Sequence, residues 1–227
     1  MDEFFLPPHV HCCRRGDAFV FLDLKQDDYT LVVGAAAVAL HALASELQTI
    51  GTANSAAEAL RELVSGGLLT TDPEIGRPFA ATHCDLALDT LLDRTRRNVA
   101  VKASDWLNFI AACTAAAARL RWGRLENTVA AVTRRKALRA DRPLDLAKAR
   151  HLTAVFQRLR GLFPANYRCL FDSLAMIEFL ARYDVYPTWV FGIRLEPWSA
   201  HCWLQQAQFT FNEGVEEAAC YTPIMAI

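Results

Sequence analysis

The sequence predicts an α+β protein in two parts. A small N-terminal unit of three strands followed by helices comes first, then a helical stretch leading into one central helix with antiparallel strands behind it. Three observations carry this expectation. Apolar residues alternate with period two over residues 9–33, helical spacing dominates residues 34–65 and 86–162, and from Cys169 a helix pattern (Leu170, Leu174, Ile177, Ala181) gives way to alternating strands from Thr188 onward.

Taken in order, residues 9–14, 18–24 and 29–33 read as strands, with Arg15-Gly16-Asp17 and Lys25-Gln26-Asp27-Asp28 as turns. Residues 34–47 form an Ala-rich helix. A second helix over 55–65 opens with Ser55 three residues before Glu58, a capping-box spacing, and stops at Gly66-Gly67. A short strand is expected at 68–70. The polar, Pro-containing segment 72–78 then reads as a linker, dividing the chain into domains 1–78 and 79–227. Helices are expected over 86–99, 104–121, 125–139 and 144–162, with Ser104 and Asp145 as caps and Arg134-Arg135-Lys136 on a solvated face.

Twenty-four basic residues against 25 acidic ones leave a net charge of −1, which gives no global attraction to nucleic acid or to an anionic membrane surface. No run approaches the roughly 20 apolar residues of a membrane span, and the first residues lack a basic segment followed by a long apolar one, so a cytoplasmic protein is the expectation. The seven cysteines show no CxxC spacing, which argues against a disulfide framework and a zinc site; no metal is expected.

Cys169 follows a loop-like segment, Phe163-Pro164-Ala165-Asn166, and so falls in the first turn of its helix. The unpaired N–H groups and the positive dipole end there favour thiolate, the nucleophilic form. Residues 200–205 and 209–213 read as a hairpin. A register symmetric about Ala207 sets Gln205 opposite Phe209, Trp203 opposite Phe211 and His201 opposite Glu213, putting an imidazole and a carboxylate side by side. A bulge would present Asn212 instead. Nucleophile, base and orienting group would make a triad of the cysteine-protease kind, with Trp203 as a wall beside the pair and Cys202 turned away into the core.

Cys169-Leu170-x-x-Ser173-Leu174-Ala175, then Gly192-Ile193-Arg194, Ala200-His201-x-Trp203 and Asn212-Glu213, resemble the leader peptidases of lasso-peptide biosynthesis, the B proteins. The resemblance implies a papain/transglutaminase-like cysteine peptidase domain with a helical N-terminal part, Cys169 as nucleophile and His201 as base. The third position, usually Asp in that family, is Glu213 here, with Asn212 as the alternative. In the N-terminal part, Phe21-Leu22-Asp23-Leu24, Asp28-Tyr29-x-Leu31 and Leu60-x-x-Leu63-x-x-Gly66-Gly67-Leu68-Leu69 are similar to the PqqD-like RiPP recognition element, a winged-helix-like domain that binds a leader peptide. That resemblance implies leader contacts along the third strand, at Tyr29, Leu31 and Val33. The partners it implies are a lasso precursor peptide and an asparagine-synthetase-like cyclase. Thiol proteolysis requires no cofactor; some members of the family are associated with ATP, and no GxxxxGK[ST] pattern occurs. Two other functions fit the same residues: a transglutaminase-like acyltransferase, and a non-catalytic chaperone that presents the precursor.

Overall fold

A computed structural model describes residues 3–44, 54–82, 84–92, 99–138, 143–163 and 168–227. Its chain divides into two compact units, residues 1–83 with 222–225, and residues 84–221 with 226–227.

In the first unit β1 (Phe5–Leu6) is followed by the antiparallel strands β2 (Val10–Arg15), β3 (Ala18–Asp23) and β4 (Asp28–Val32), in the order β2-β3-β4. The β3–β4 turn is fastened by Asp23, whose carboxylate accepts from the N–H groups of Lys25 (2.7 Å) and Gln26 (3.2 Å). Helices α1 (Gly34–Ala44) and α2 (Asn54–Ser65) lay Ala37, Leu40 and Leu60 onto a core with Leu6, Val10, Phe19 and Phe21. Beyond Ala44 the expected first helix, and with Ser55 the expected cap of the second, lie outside the described residues or side chains. The expected strand at 68–70 is a single bridge: Thr70 exchanges both backbone hydrogen bonds with Phe5, at 2.8 and 2.9 Å. β5 (Arg77–Pro78), which sequence alone marked as linker, pairs with β1.

The second unit corrects the helix expected over 86–99. Residues 84–92 contain only a short strand, β6 (Asp89–Thr90), and 93–98 lie outside the described residues. The segment is drawn out because Leu88 and Asp89 both donate to the Gln208 carbonyl and Leu91 to the Thr210 carbonyl, a ladder alongside the last hairpin. Leu86 and Leu88 stay exposed, so they supply no helix face.

Helices α3 (Ala103–Trp122), α4 (Leu125–Ala137) and α5 (Leu146–Arg160) fall close to expectation. Asp145 caps α5 by accepting from Lys148 N at 3.0 Å. At α3 the capping group is Asp105 and not Ser104: its carboxylate reaches back to Lys102 N at 2.8 Å. In the basic run on α4, Arg134 is exposed as expected, but Arg135 and Lys136 are corrected. Arg135 holds the buried Glu178 in a forked pair (2.9 and 3.2 Å), and Lys136 donates to Thr188 Oγ1 (2.6 Å) and the Ile227 carbonyl (3.2 Å). A buried carboxylate, a threonine hydroxyl and a backbone carbonyl on other elements draw inward two cations that composition alone would leave in water.

Helix α6 (Cys169–Ala181) is buried over nearly its whole length, packing on α3 and on the sheet strand β8. The sheet runs β7 (Thr188–Leu195), β8 (Trp198–Gln206), β9 (Phe209–Thr210), β6, and Ile227 exchanges both backbone hydrogen bonds with Trp189 of β7. After β9 come the short helix α7 (Val215–Ala219) and the final strand β10 (Thr222–Ala226). Gly192, opposite His201 in the β7–β8 ladder, is required by space: a Cβ there would lie 2.9 Å from both the Trp203 ring and the Tyr221 Cβ.

Candidate active site

The site is built where the start of α6 meets β8 and the bend after β9. Residues 164–167, the expected loop before the nucleophile, lie outside the described residues, but Arg168 onward is described. Arg168 takes the N-cap position, and Asp172 in the first turn accepts from Arg168 N at 2.8 Å. The other oxygen of Asp172 pairs with the buried Arg160 of α5. This carboxylate closes the helix start and anchors it to α5, leaving Cys169 as the first helical residue.

His201 lies on β8. Its Nε2–H donates to Glu213 Oε2 at 2.8 Å, which leaves Nδ1 for the sulfur of Cys169, with which the ring hydrogen-bonds. The Trp203 ring stacks near-parallel to the imidazole (6.1 Å, 19°), as expected of a wall. Tyr221, which nothing in the sequence singled out, stands closer, 5.0 Å from the imidazole. Together they screen one side of the ion pair from water, which strengthens its electrostatics.

The meeting of His201 and Glu213 was expected for a reason the structure corrects. The hairpin is not symmetric about Ala207. Gln205 pairs with Thr210 and Gln206 with Phe209, one residue out of the expected register, with Ala207 at φ +50° in the turn. Continued regularly, this register would set Gly214 rather than Glu213 opposite His201. It does not continue. Phe211 N still donates to the Leu204 carbonyl (2.9 Å), but Leu204 N donates to the side chain of Asn212 (2.7 Å) instead of to a strand carbonyl. Asn212 thus ends the ladder, and the bend behind it swings Glu213 onto the imidazole.

Glu213 is pinned there by contacts that sequence reasoning missed. Its carbonyl accepts from Thr210 Oγ1 (2.6 Å) and from Thr90 Oγ1 on β6 (2.8 Å), and Gly214 N donates to its Oε1 (3.0 Å). Two threonines 120 positions apart leave no sequence signal. Asn212 lines the cleft but is committed to Leu204.

The electrostatics follow. The Cys169 thiol is held down to about 4. Its hydrogen bond with the Cys202 thiol contributes most, then that with His201; the imidazolium charge and the Cys202 N–H add to them and outweigh the opposing effect of burial. His201 is raised to about 9: burial works against its cation, but hydrogen bonds and charges at Cys169 and Glu213 prevail. Near neutral pH the pair therefore rests as thiolate and imidazolium, a ready nucleophile with an acid beside it. Both open onto a cavity of about 590 Å³, lined also by Glu213, Asn212, Asp172 and Arg160.

A sulfur at a helix start, an imidazole on a strand and a carboxylate just after the next strand have the chemistry needed to form and break an acyl thioester. A family model described as the transglutaminase-like superfamily matches residues 110–226, more than half of the 227-residue chain and the stretch that holds all three residues.

The chain belongs to the transglutaminase-like superfamily.

Its members' fold supports cysteine peptidase or acyltransferase chemistry, and the transglutaminase-like domain here is mixed α+β with a helical first part. No curated protein and no solved structure matches the chain. Among the described residues no three His, Cys, Asp or Glu side chains converge to hold a metal ion, and no helix is long and apolar enough to cross a membrane.

Tyr29 and Leu31 lie on β4 in the first unit, and Val33 just after it. Leu31 and Val33 are 52% and 60% exposed, and Tyr29 is half-buried. Among the described residues β4 has β3 on one side and no strand on the other.

Proposed function

We propose that this protein is a leader peptidase of lasso-peptide biosynthesis: its N-terminal unit binds the leader of a ribosomally made precursor, and its transglutaminase-like domain cuts the leader from the core. The observation that carries the reading is the convergence of Cys169, His201 and Glu213 on one open cleft. In this mechanism the Cys169 thiolate attacks the scissile carbonyl, with the Cys169 backbone N–H at the start of α6 as one donor to the oxyanion. The His201 imidazolium, steadied by Glu213, protonates the leaving amine. The neutral imidazole then takes a proton from water, which releases the leader from its thioester.

The leader would add as a strand along the open edge of β4, gaining backbone hydrogen bonds, with Leu31 and Val33 as apolar contacts. Joining the recognition and cutting units in one chain raises the local concentration of the scissile bond, to about millimolar for short linkers. The freed core N-terminus would pass to an asparagine-synthetase-like cyclase for macrolactam closure. Any effect of ATP would act through assembly with that partner.

The test is incubation of a lasso precursor peptide with purified protein, followed by mass spectrometry. Release of intact leader by wild type and its absence with Cys169→Ala supports the reading. Addition of an amine without leader loss assigns an acyltransferase, a leader left intact by wild type leaves the protein a presenting chaperone, and leader loss that survives Cys169→Ala overturns Cys169 as the nucleophile.

A further inference from the structure

A second sulfur lies beside the nucleophile. Alternation along β8 turns Cys202 away from the Trp203 side, and that opposite face is the one on which α6 lies. Cys202 is 2% exposed, yet it is not an idle core residue. Its sulfur is 3.3 Å from Ser173 Oγ, and the same hydroxyl donates to the Cys169 carbonyl at 2.7 Å and accepts from Trp189 Nε1 at 2.9 Å. The Cys169 sulfur meets both the thiol and the backbone N–H of Cys202. A fully buried serine thus ties the strand sulfur to the first residue of the nucleophile helix. One of the two sulfurs opens on the 590 Å³ cleft and the other is sealed behind it.

We propose that Cys169 and Cys202 form a peroxide-driven, thiol-reversible disulfide that takes the nucleophile out of service and shields it from irreversible oxidation. In the first step the Cys169 thiolate attacks one oxygen of hydrogen peroxide. The O–O bond breaks and the departing hydroxide takes the His201 proton, leaving a sulfenic acid and water. In the second step the Cys202 sulfur attacks the sulfenyl sulfur, the S–O bond breaks, and the hydroxide leaves as water with the Cys202 proton. Two thiols and one peroxide give one disulfide and two waters. A dithiol returns both sulfurs by exchange. The division of labour follows from the environments. Burial, with the Cys169 neighbour adding to it, pushes the Cys202 thiol well up, so Cys202 does not compete for the oxidant and serves only to resolve. The inference stands on two sulfurs and not on what the site cleaves.

The experiment treats the full-length protein with dilute hydrogen peroxide, blocks remaining thiols with iodoacetamide, digests without reductant and maps the peptides by mass spectrometry. The expected product joins the Cys169 and Cys202 peptides, two hydrogens lighter than the separate thiols. Dithiothreitol should remove it and restore alkylation at both positions. Cys202→Ala and Cys202→Ser should instead carry Cys169 on to a sulfinic acid that dithiothreitol does not reverse. Wild-type protein in which Cys169 reaches sulfinic acid while Cys202 stays a thiol overturns the proposal, as does a Cys169 disulfide to any other cysteine. The wild-type map decides even if neither variant folds, and it reads the same whether or not the protein cuts a leader.

Discussion

Replacing Glu213 with Gln keeps the shape of the side chain and removes its charge. The carboxylate accepts the Nε2–H of His201 at 2.8 Å, and both side chains are mostly shielded, at 23% and 17% exposure. A hydrogen bond to a charged group contributes about 1.5–3 kcal/mol, and about 1.4 kcal/mol corresponds to one pKa unit. The His201 cation, which persists to about 9 in the wild type, should therefore lose its proton roughly one to two units lower. The sign is fixed: Glu213 favours the charged ring, so removing it lowers the His201 pKa. Because that cation helps hold Cys169 down to about 4, Cys169 must move up. The assay needs no substrate: the rate of Cys169 alkylation by iodoacetamide is followed against pH by mass spectrometry. Wild type should stay reactive well into the acid range, with the Glu213→Gln limb displaced upward. On a cleavable peptide the variant should lose about 10–100-fold in kcat/KM. Superimposable alkylation profiles would refute the argument that Glu213 tunes the pair.

Asn212→Ala should act in the same direction by a different route. It leaves Leu204 N without its acceptor, at a cost of about 1–3 kcal/mol, and frees the bend that delivers Glu213, so a lower melting temperature should accompany an upward-shifted alkylation limb. Gly192→Ala forces a methyl group to 2.9 Å from Trp203 and Tyr221, the rings beside His201. Overpacking there should cost about 1–3 kcal/mol in denaturant unfolding and slow Cys169 alkylation at neutral pH. An unchanged midpoint would show that the rings move aside freely.

Where the local pattern was strong, the sequence was legible. The β7 strand, the α6 helix beginning at Cys169 and the three N-terminal strands all stand within a residue or so of expectation, because period and turn chemistry act over a few neighbours. The segment 86–99 was misread because its apolar residues mimic a helix face while its backbone is claimed by Gln208 and Thr210, more than a hundred positions away. Arg135 and Lys136 were misread for a similar reason: their partners, Glu178 and Thr188, lie on other elements.

The sequence by itself determined that a cysteine would open a helix, that a histidine would follow on a strand with an acid beyond the next turn, and that a small three-stranded unit would precede them. Only the tertiary structure decided that Glu213 reaches His201 through a broken ladder, that two distant threonines hold it there, and that Cys202 lies against the nucleophile. Dihedral preferences and apolar periodicity are local and are written in the neighbours of each residue. Hydrogen bonds and sulfur contacts across elements depend on where the packed core leaves a donor facing an acceptor.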